Sequence, residues 1–115
     1  MLITHAHPDH ICGIEYLQHQ YGLQAIIQPA EGQLNIAGLD TPINVISTPG
    51  HKEDAVCYYL PQEKMLFTGD TLFQESIGRT DLPGGDMRTL IISLQKLVIL
   101  PDDTQVYPGH GYPTN

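Results

Sequence analysis

The sequence predicts an α/β domain. Three observations point there. Short apolar segments rich in β-branched and aromatic residues recur along the chain. A helical apolar stripe lies between Asp86 and Leu100. The two patterns alternate rather than falling into separate blocks.

Each element follows in order. Met1 to Thr4 reads as the end of a strand, and His5 to His10 then forms a loop. Gly13 to Tyr21 predicts a short helix, with Ile14, Leu17 and Tyr21 on one face and Gly22 as its stop. Gln24 to Gln28 predicts a short strand. Pro29 to Thr41 is turn-rich, with one short strand at Gln33 to Ile36. Ile43 to Ser47 is apolar and β-branched and ends at Thr48-Pro49-Gly50. Ala55 to Leu60 and Met65 to Thr68 predict a hairpin around Pro61-Gln62-Glu63. Gly69 to Gly85 is one long irregular segment, of the kind that carries function inside compact domains. Asp86 caps a helix running to about Leu100, with Leu90, Ile91, Leu94, Leu97 and Val98 as its stripe. Pro101 ends it, and Thr104 to Tyr107 is the last strand.

Composition narrows the function. The 115 residues allow one domain, with 41% hydrophobic content for a modest core. The net charge of −8 disfavours a nucleic-acid partner, which needs a basic face. Cys12 and Cys57 are too few for a disulfide scaffold. Both lie in apolar stretches and read as buried thiols, with a single bridge between them left open. Apolar runs are too short for a membrane span, and no secretory signal opens the chain, so a cytoplasmic protein is expected.

The chemistry concentrates at Thr4-His5-Ala6-His7-Pro8-Asp9-His10. Three of the six histidines and a carboxylate fall there. His51 and His110 follow Thr48-Pro49-Gly50 and Tyr107-Pro108-Gly109, and Asp70 follows Gly69. Imidazole nitrogen and carboxylate oxygen are good ligands for zinc and iron. His5, His51, Asp70 and His110 each come just after a short apolar segment, so they can converge at one edge of a sheet. Seven ligands exceed one tetrahedral ion. Two ions sharing Asp70 would use them all. His19 sits mid-helix and reads as exposed, and Asp40, Asp54, Asp102 and Asp103 read as turn or surface residues.

These motifs, in this order, resemble the metallo-β-lactamase superfamily across almost the whole chain. Ser76-Ile77-Gly78-Arg79-Thr80-Asp81-Leu82-Pro83-Gly84-Gly85 is similar to the glyoxalase II branch, which holds hydroxyacylglutathione hydrolases and persulfide dioxygenases. The resemblance implies an αββα sandwich. It implies that His5, His7 and His51 hold one metal, that Asp9, His10 and His110 hold a second, and that Asp70 bridges them. Two divalent ions, zinc with iron or a mixed pair as alternatives, would then support thioester hydrolysis by a metal-bridging hydroxide. Asp9 would help orient the nucleophile. The substrate would be a small-molecule thioester, and the glyoxalase-like loop argues against lactam cleavage.

The chain departs from the family in three places. Members place several strands before the histidine cluster, so residues 1–115 are expected to form a single, partial domain. Its open sheet edge would then favour self-association. The lysine and tyrosine that hold glutathione are not evident between Gly69 and Gly85, where Arg79 stands instead. Arg79 could bind a substrate carboxylate, but pairing with Asp81 is the favoured reading. Lys52-Glu53-Asp54-Ala55 replaces the small residues that commonly follow the histidine of that motif. The rival functions are a mononuclear-iron persulfide dioxygenase and an inactive metal-binding fragment.

Overall fold

In a computed structural model, residues 1–27, 29–36 and 39–114 are described. The chain begins with α1 (Pro8–Ile11), α2 (Ile14–Tyr21), β1 (Gly32–Leu34), β2 (Ile43–Ser47), β3 (Val56–Leu60) and β4 (Met65–Gly69). It continues with β5 (Leu72–Phe73), β6 (Ser76–Ile77), α3 (Met87–Leu97) and β7 (Gln105–Pro108).

One five-stranded sheet has the order β1-β2-β3-β4-β7. Its first four strands are antiparallel neighbours, and β7 lies parallel to β4. Strands β2, β4 and β7 therefore run the same way, and their ends reach the same edge. The predicted hairpin is present, with Leu60 opposite Met65 and Lys64 in the left-handed region of its turn (φ 56°).

The sheet's two faces follow from the two-residue period of a strand. Val56 and Tyr58 join Ile43 and Val45 in one apolar cluster, against which Leu2, Leu34, Ile36 and Phe67 pack. Cys57 and Tyr59 face the other way, with Leu66, Val106 and Leu97 of α3. Burying a leucine such as Leu97 contributes about 1.5–3 kcal/mol. The expected incomplete sandwich is thus present in part, as one five-stranded sheet with α3 on one face. Among the described residues there is no second large sheet, and no helix is long and apolar enough to cross a membrane.

α3 starts where Asp86 accepts a hydrogen bond from the Arg88 amide at 3.0 Å. Of the predicted stripe, Leu90 and Leu97 are buried, but Ile91 and Val98 are 49% and 76% exposed. The helix ends at Leu97, not near Leu100, so Val98 caps it and leaves the stripe. Ile91 sits about 100° round the helix from Leu90, on its flank. Two bonds tie α3 to the turn before His51: Ser93 Oγ donates to the Pro49 carbonyl, and the Asp86 amide donates to the Gly50 carbonyl.

Other elements differ locally from expectation. The histidine stretch is not all loop, because Pro8 opens the one-turn helix α1, where its missing amide costs nothing. The strand expected at Gln24 to Gln28 is reduced to a parallel bridge between Ile26 and Leu2, and Gln28 lies outside the described residues. The strand expected at Gln33 to Ile36 begins and ends earlier, at Gly32–Leu34. The irregular segment after Gly69 contains the small β5–β6 hairpin. Cys57 is a buried free thiol, whereas Cys12 is free but exposed, just past α1, contrary to expectation.

Candidate metal centre

The common strand direction brings the site together. His51 follows β2 by one short turn, Asp70 directly follows β4, and His110 lies just past β7. The segment from Thr4 to His10 joins the same edge. It is held there by the Thr4 carbonyl accepting from the Val56 amide at 2.9 Å and the Ile3 carbonyl accepting from Tyr58 Oη at 2.7 Å.

All seven expected side chains converge, in two groups. His5, His7, His51 and Asp70 form one, and Asp9, His10, Asp70 and His110 form the other, with ligand atoms within 4.8 Å of one another in each. Asp70 belongs to both. Its Oδ2 lies 3.5 Å from His5 Nε2, 3.4 Å from His51 Nε2 and 3.1 Å from His10 Nε2, and its Oδ1 lies 3.5 Å from His110 Nε2. Asp9 Oδ2 is 3.1 Å from His110 Nε2. His19 is exposed on α2 and belongs to neither group.

Surrounding contacts aim these groups. The Arg79 carbonyl accepts from His51 Nδ1 at 2.7 Å, and Thr4 Oγ1 pairs with His5 Nδ1 at 3.1 Å. Each ring thus presents Nε2 to the centre. Gly109 leaves room for His110 to approach: a Cβ there would stand 2.6 Å from Asp70 Oδ1 and 2.8 Å from His10 Cε1.

Electrostatics favour ligation. Burial works to raise the Asp70 carboxyl, but its contact with His5 and the charges of His10, His5 and His110 outweigh that and hold it at about 2. It is ionised throughout the neutral range. Burial first, then electrostatic repulsion from the neighbouring His5 and His51 rings and from Lys52, lowers the His7 pKa and favours its neutral form. His5 Nε2, His51 Nε2 and Asp70 Oδ1 are buried with no hydrogen-bond partner among the described residues. Each such orphan costs about 1–3 kcal/mol. Three such atoms within the two ligand groups, all good donors to a divalent cation, fit a metal.

The β5–β6 hairpin and the loop after it wall a cleft of about 520 Å³ over the centre. Phe73, Ile77 and Leu82 line it beside His7, Asp9, Asp70 and His110. Arg79 lines it too, but its guanidinium pairs bidentately with Asp81 at 2.7 and 2.8 Å. That is the favoured reading of the sequence.

One residue read as a turn or surface position has a different place. Asp54 is half-buried with its side chain turned inward, and its Oδ2 accepts from the Ala6 amide, between His5 and His7, at 3.0 Å. No sequence signal marks this, because the partner is a main-chain N–H.

Fold and site together define an α/β scaffold with two adjoining groups of metal-ligating side chains at one sheet edge. Residues 27–110 match the metallo-beta-lactamase superfamily, and the chain belongs to that family. It is 45% identical over 122 residues to a hydroxyacylglutathione hydrolase of Brucella anthropi, covering 95% of this chain and 46% of that protein. The chain spans about half the length of the curated relatives it matches. Among solved structures it is similar to the BLEG-1 B3 metallo-beta-lactamase, with 33% identity and a TM-score of 0.93 over 98% of this chain and 69% of that one. It is also similar to TTHA1623 in a di-iron-bound form, with 32% identity and a TM-score of 0.88 over 98% of this chain and 70% of that one.

Proposed function

We propose that this chain carries the centre of a metal-dependent hydrolase that cleaves small-molecule thioesters of the hydroxyacylglutathione type. The observation that supports it most is the pair of ligand groups sharing Asp70, with buried nitrogen and oxygen atoms unpartnered among the described residues. His5, His7 and His51 would hold one ion, Asp9, His10 and His110 the other, and Asp70 both. Zinc is the proposed metal, with iron or a mixed pair as the alternative that the di-iron relative brings in. Bound there, the ions would supply Lewis acidity: a polarised carbonyl and a water acidic near neutral pH.

The chain's own residues do the rest. Asp9 is half-exposed at the cleft, where its carboxylate can accept a water proton and orient the water towards a carbonyl carbon. Phe73, Ile77 and Leu82 offer an apolar wall to the acyl group and limit access of bulk water. The departing thiolate is a stable leaving group, so little further acid catalysis is needed. Arg79, held by Asp81, is an anchor of the cleft loop rather than a free anion receptor.

The test is hydrolysis of a hydroxyacylglutathione thioester by the metal-reconstituted chain, followed by loss of thioester absorbance. Turnover that a chelator abolishes is the expected result. A folded, metal-loaded chain that leaves the thioester intact, or that cleaves a chromogenic β-lactam instead, overturns the reading.

A second reading rests on three of these groups. His5 Nε2 and His51 Nε2 both lie within 3.5 Å of Asp70 Oδ2, the donor set of a two-histidine, one-carboxylate iron centre. Such a centre would serve a persulfide dioxygenase. One iron per chain on reconstitution favours it, and two ions favour the hydrolase.

A further inference from the structure

The turn after His51 does more than reverse the chain. The Ala55 amide donates to the Lys52 carbonyl, and this closes a turn that places Asp54 two residues before β3. β3 runs opposite to β2 and β4, so its start lies at the same edge as their ends. Asp54 therefore enters the site edge from the sheet, while His5, Ala6 and His7 cross it from the N-terminal segment. The two meet in the bond from the Ala6 amide to Asp54 Oδ2.

We propose that Asp54 is a positioning residue that sets the geometry of the His5, His7 and His51 group by clamping the backbone between its first two ligands. The inference rests on the metal-binding reading above. Its argument is one of leverage. The contacts of Val56 and Tyr58 hold the segment only as far as Thr4. Among the described residues, no other hydrogen bond ties the main chain of His5, Ala6 or His7 to the sheet. Asp54 lies three positions beyond His51 in the same turn, so one carboxylate joins the backbone carriers of three ligands.

The charge is provided for. The Asp54 side chain is 5% exposed, and a carboxylate so placed needs a counter-charge. Lys52 Nζ lies 3.7 Å from Asp54 Oδ1, the oxygen that makes no hydrogen bond among the described residues. The sequence Lys52-Glu53-Asp54 thus supplies both the clamp and its counter-ion. A charge-assisted bond to an amide is stronger than a neutral one, which suits a clamp on a loop.

Cobalt(II) titration of the parent chain and of Asp54→Ala, Asp54→Asn and Asp54→Glu tests this, with a chromophoric chelator as competitor and the visible cobalt spectrum as a report on geometry. Asp54→Ala is expected to weaken uptake of one cobalt equivalent by about tenfold or more and to change its absorption bands. Asp54→Asn keeps an acceptor oxygen in place and should restore most of the affinity and the parental spectrum. Asp54→Glu keeps the charge but displaces the acceptor. It should resemble Ala in cobalt binding while melting cooperatively, and it serves if Ala does not fold. Parental affinity and spectrum in Ala or Glu overturn the clamp, as does a folded Asn variant no better than Ala. A parent chain that takes up no cobalt overturns the metal reading itself. A parent that binds and variants that bind equally overturn only the role of Asp54.

Discussion

The His51 ring donates through Nδ1 to the carbonyl oxygen of Arg79 at 2.7 Å. A carbonyl can only accept, so Nδ1 carries the proton and the Nε2 lone pair faces Asp70. The main chain of Arg79, not its guanidinium, therefore orients the His51 ring. Gly78 makes this approach feasible: a Cβ there would stand 1.8 Å from the Asp70 carbonyl oxygen. Gly78→Ala must push the loop away, costing about 1–3 kcal/mol and withdrawing the acceptor from His51. Arg79→Gln leaves the carbonyl in place. Thermal melts with elemental analysis should show a lower Tm and metal loss in the first variant and near-parental metal content in the second. Equal metal loss would mean that the guanidinium matters to the ligand after all.

Replacement of His51 by alanine should remove at least part of one metal equivalent. His19→Ala should leave metal content unchanged, since His19 lies on α2 outside both groups. Reconstitution followed by elemental analysis of both variants checks this. Similar losses from the two would break the ligand assignment.

Acid should strip the metal through the imidazoles and not through Asp70. The Asp70 carboxyl, held at about 2, stays ionised well below neutrality. The lowered pKa of His7 lets that ring stay neutral somewhat further into acid than free imidazole. Protons nonetheless compete for every histidine lone pair, so retention should fall as pH drops to about 5. Dialysis at stepped pH values measures it. Full retention at about pH 5 would count against a histidine-rich ligand set.

Alkali should weaken the fold from within the sheet. Burial pushes the Cys57 thiol up to about 11, against opposing hydrogen bonds with Thr48 and Thr71. Burial likewise pushes the Tyr58 phenol up to about 12, against its bond to Ile3. Both groups bind their protons more tightly folded than unfolded. Their stabilisation is intact below the ordinary values of 9.0 and 10.0 and is lost as pH rises through the folded ones. Unfolding free energy should fall by roughly 1.4 kcal/mol per pH unit for each group inside its window. Denaturant titrations at about pH 8 and about pH 10.5 give the slope. A flat result would show that neither group is shielded.

His5, His51, Asp70 and His110 were readable because each comes just after a short apolar segment, with His7, Asp9 and His10 close behind His5, and strand direction then does the gathering. His51, Asp70 and His110 meet because β2, β4 and β7 run the same way. Asp54 was not readable. Its partner is a backbone amide 48 positions away, and no residue type signals a free N–H. The β5–β6 hairpin escaped notice because two-residue strands are too short to show a period. Ile91 and Val98 looked like core by spacing, yet α3 rests on the sheet through a narrower stripe and stops at Leu97.

The parallel pairing of β7 with β4 also orders events in time. Parallel neighbours need a long crossover, and here the crossover carries the β5–β6 hairpin and α3. Closing so long a span is slow compared with forming the β2–β3–β4 meander. A nascent chain thus displays His5, His7, Asp9 and His10 long before His110 can reach them. On the proposed ligand assignment, an ion met early would be held by an incomplete set and could exchange. Selection of a metal would then fall to the stage at which β7 docks beside β4.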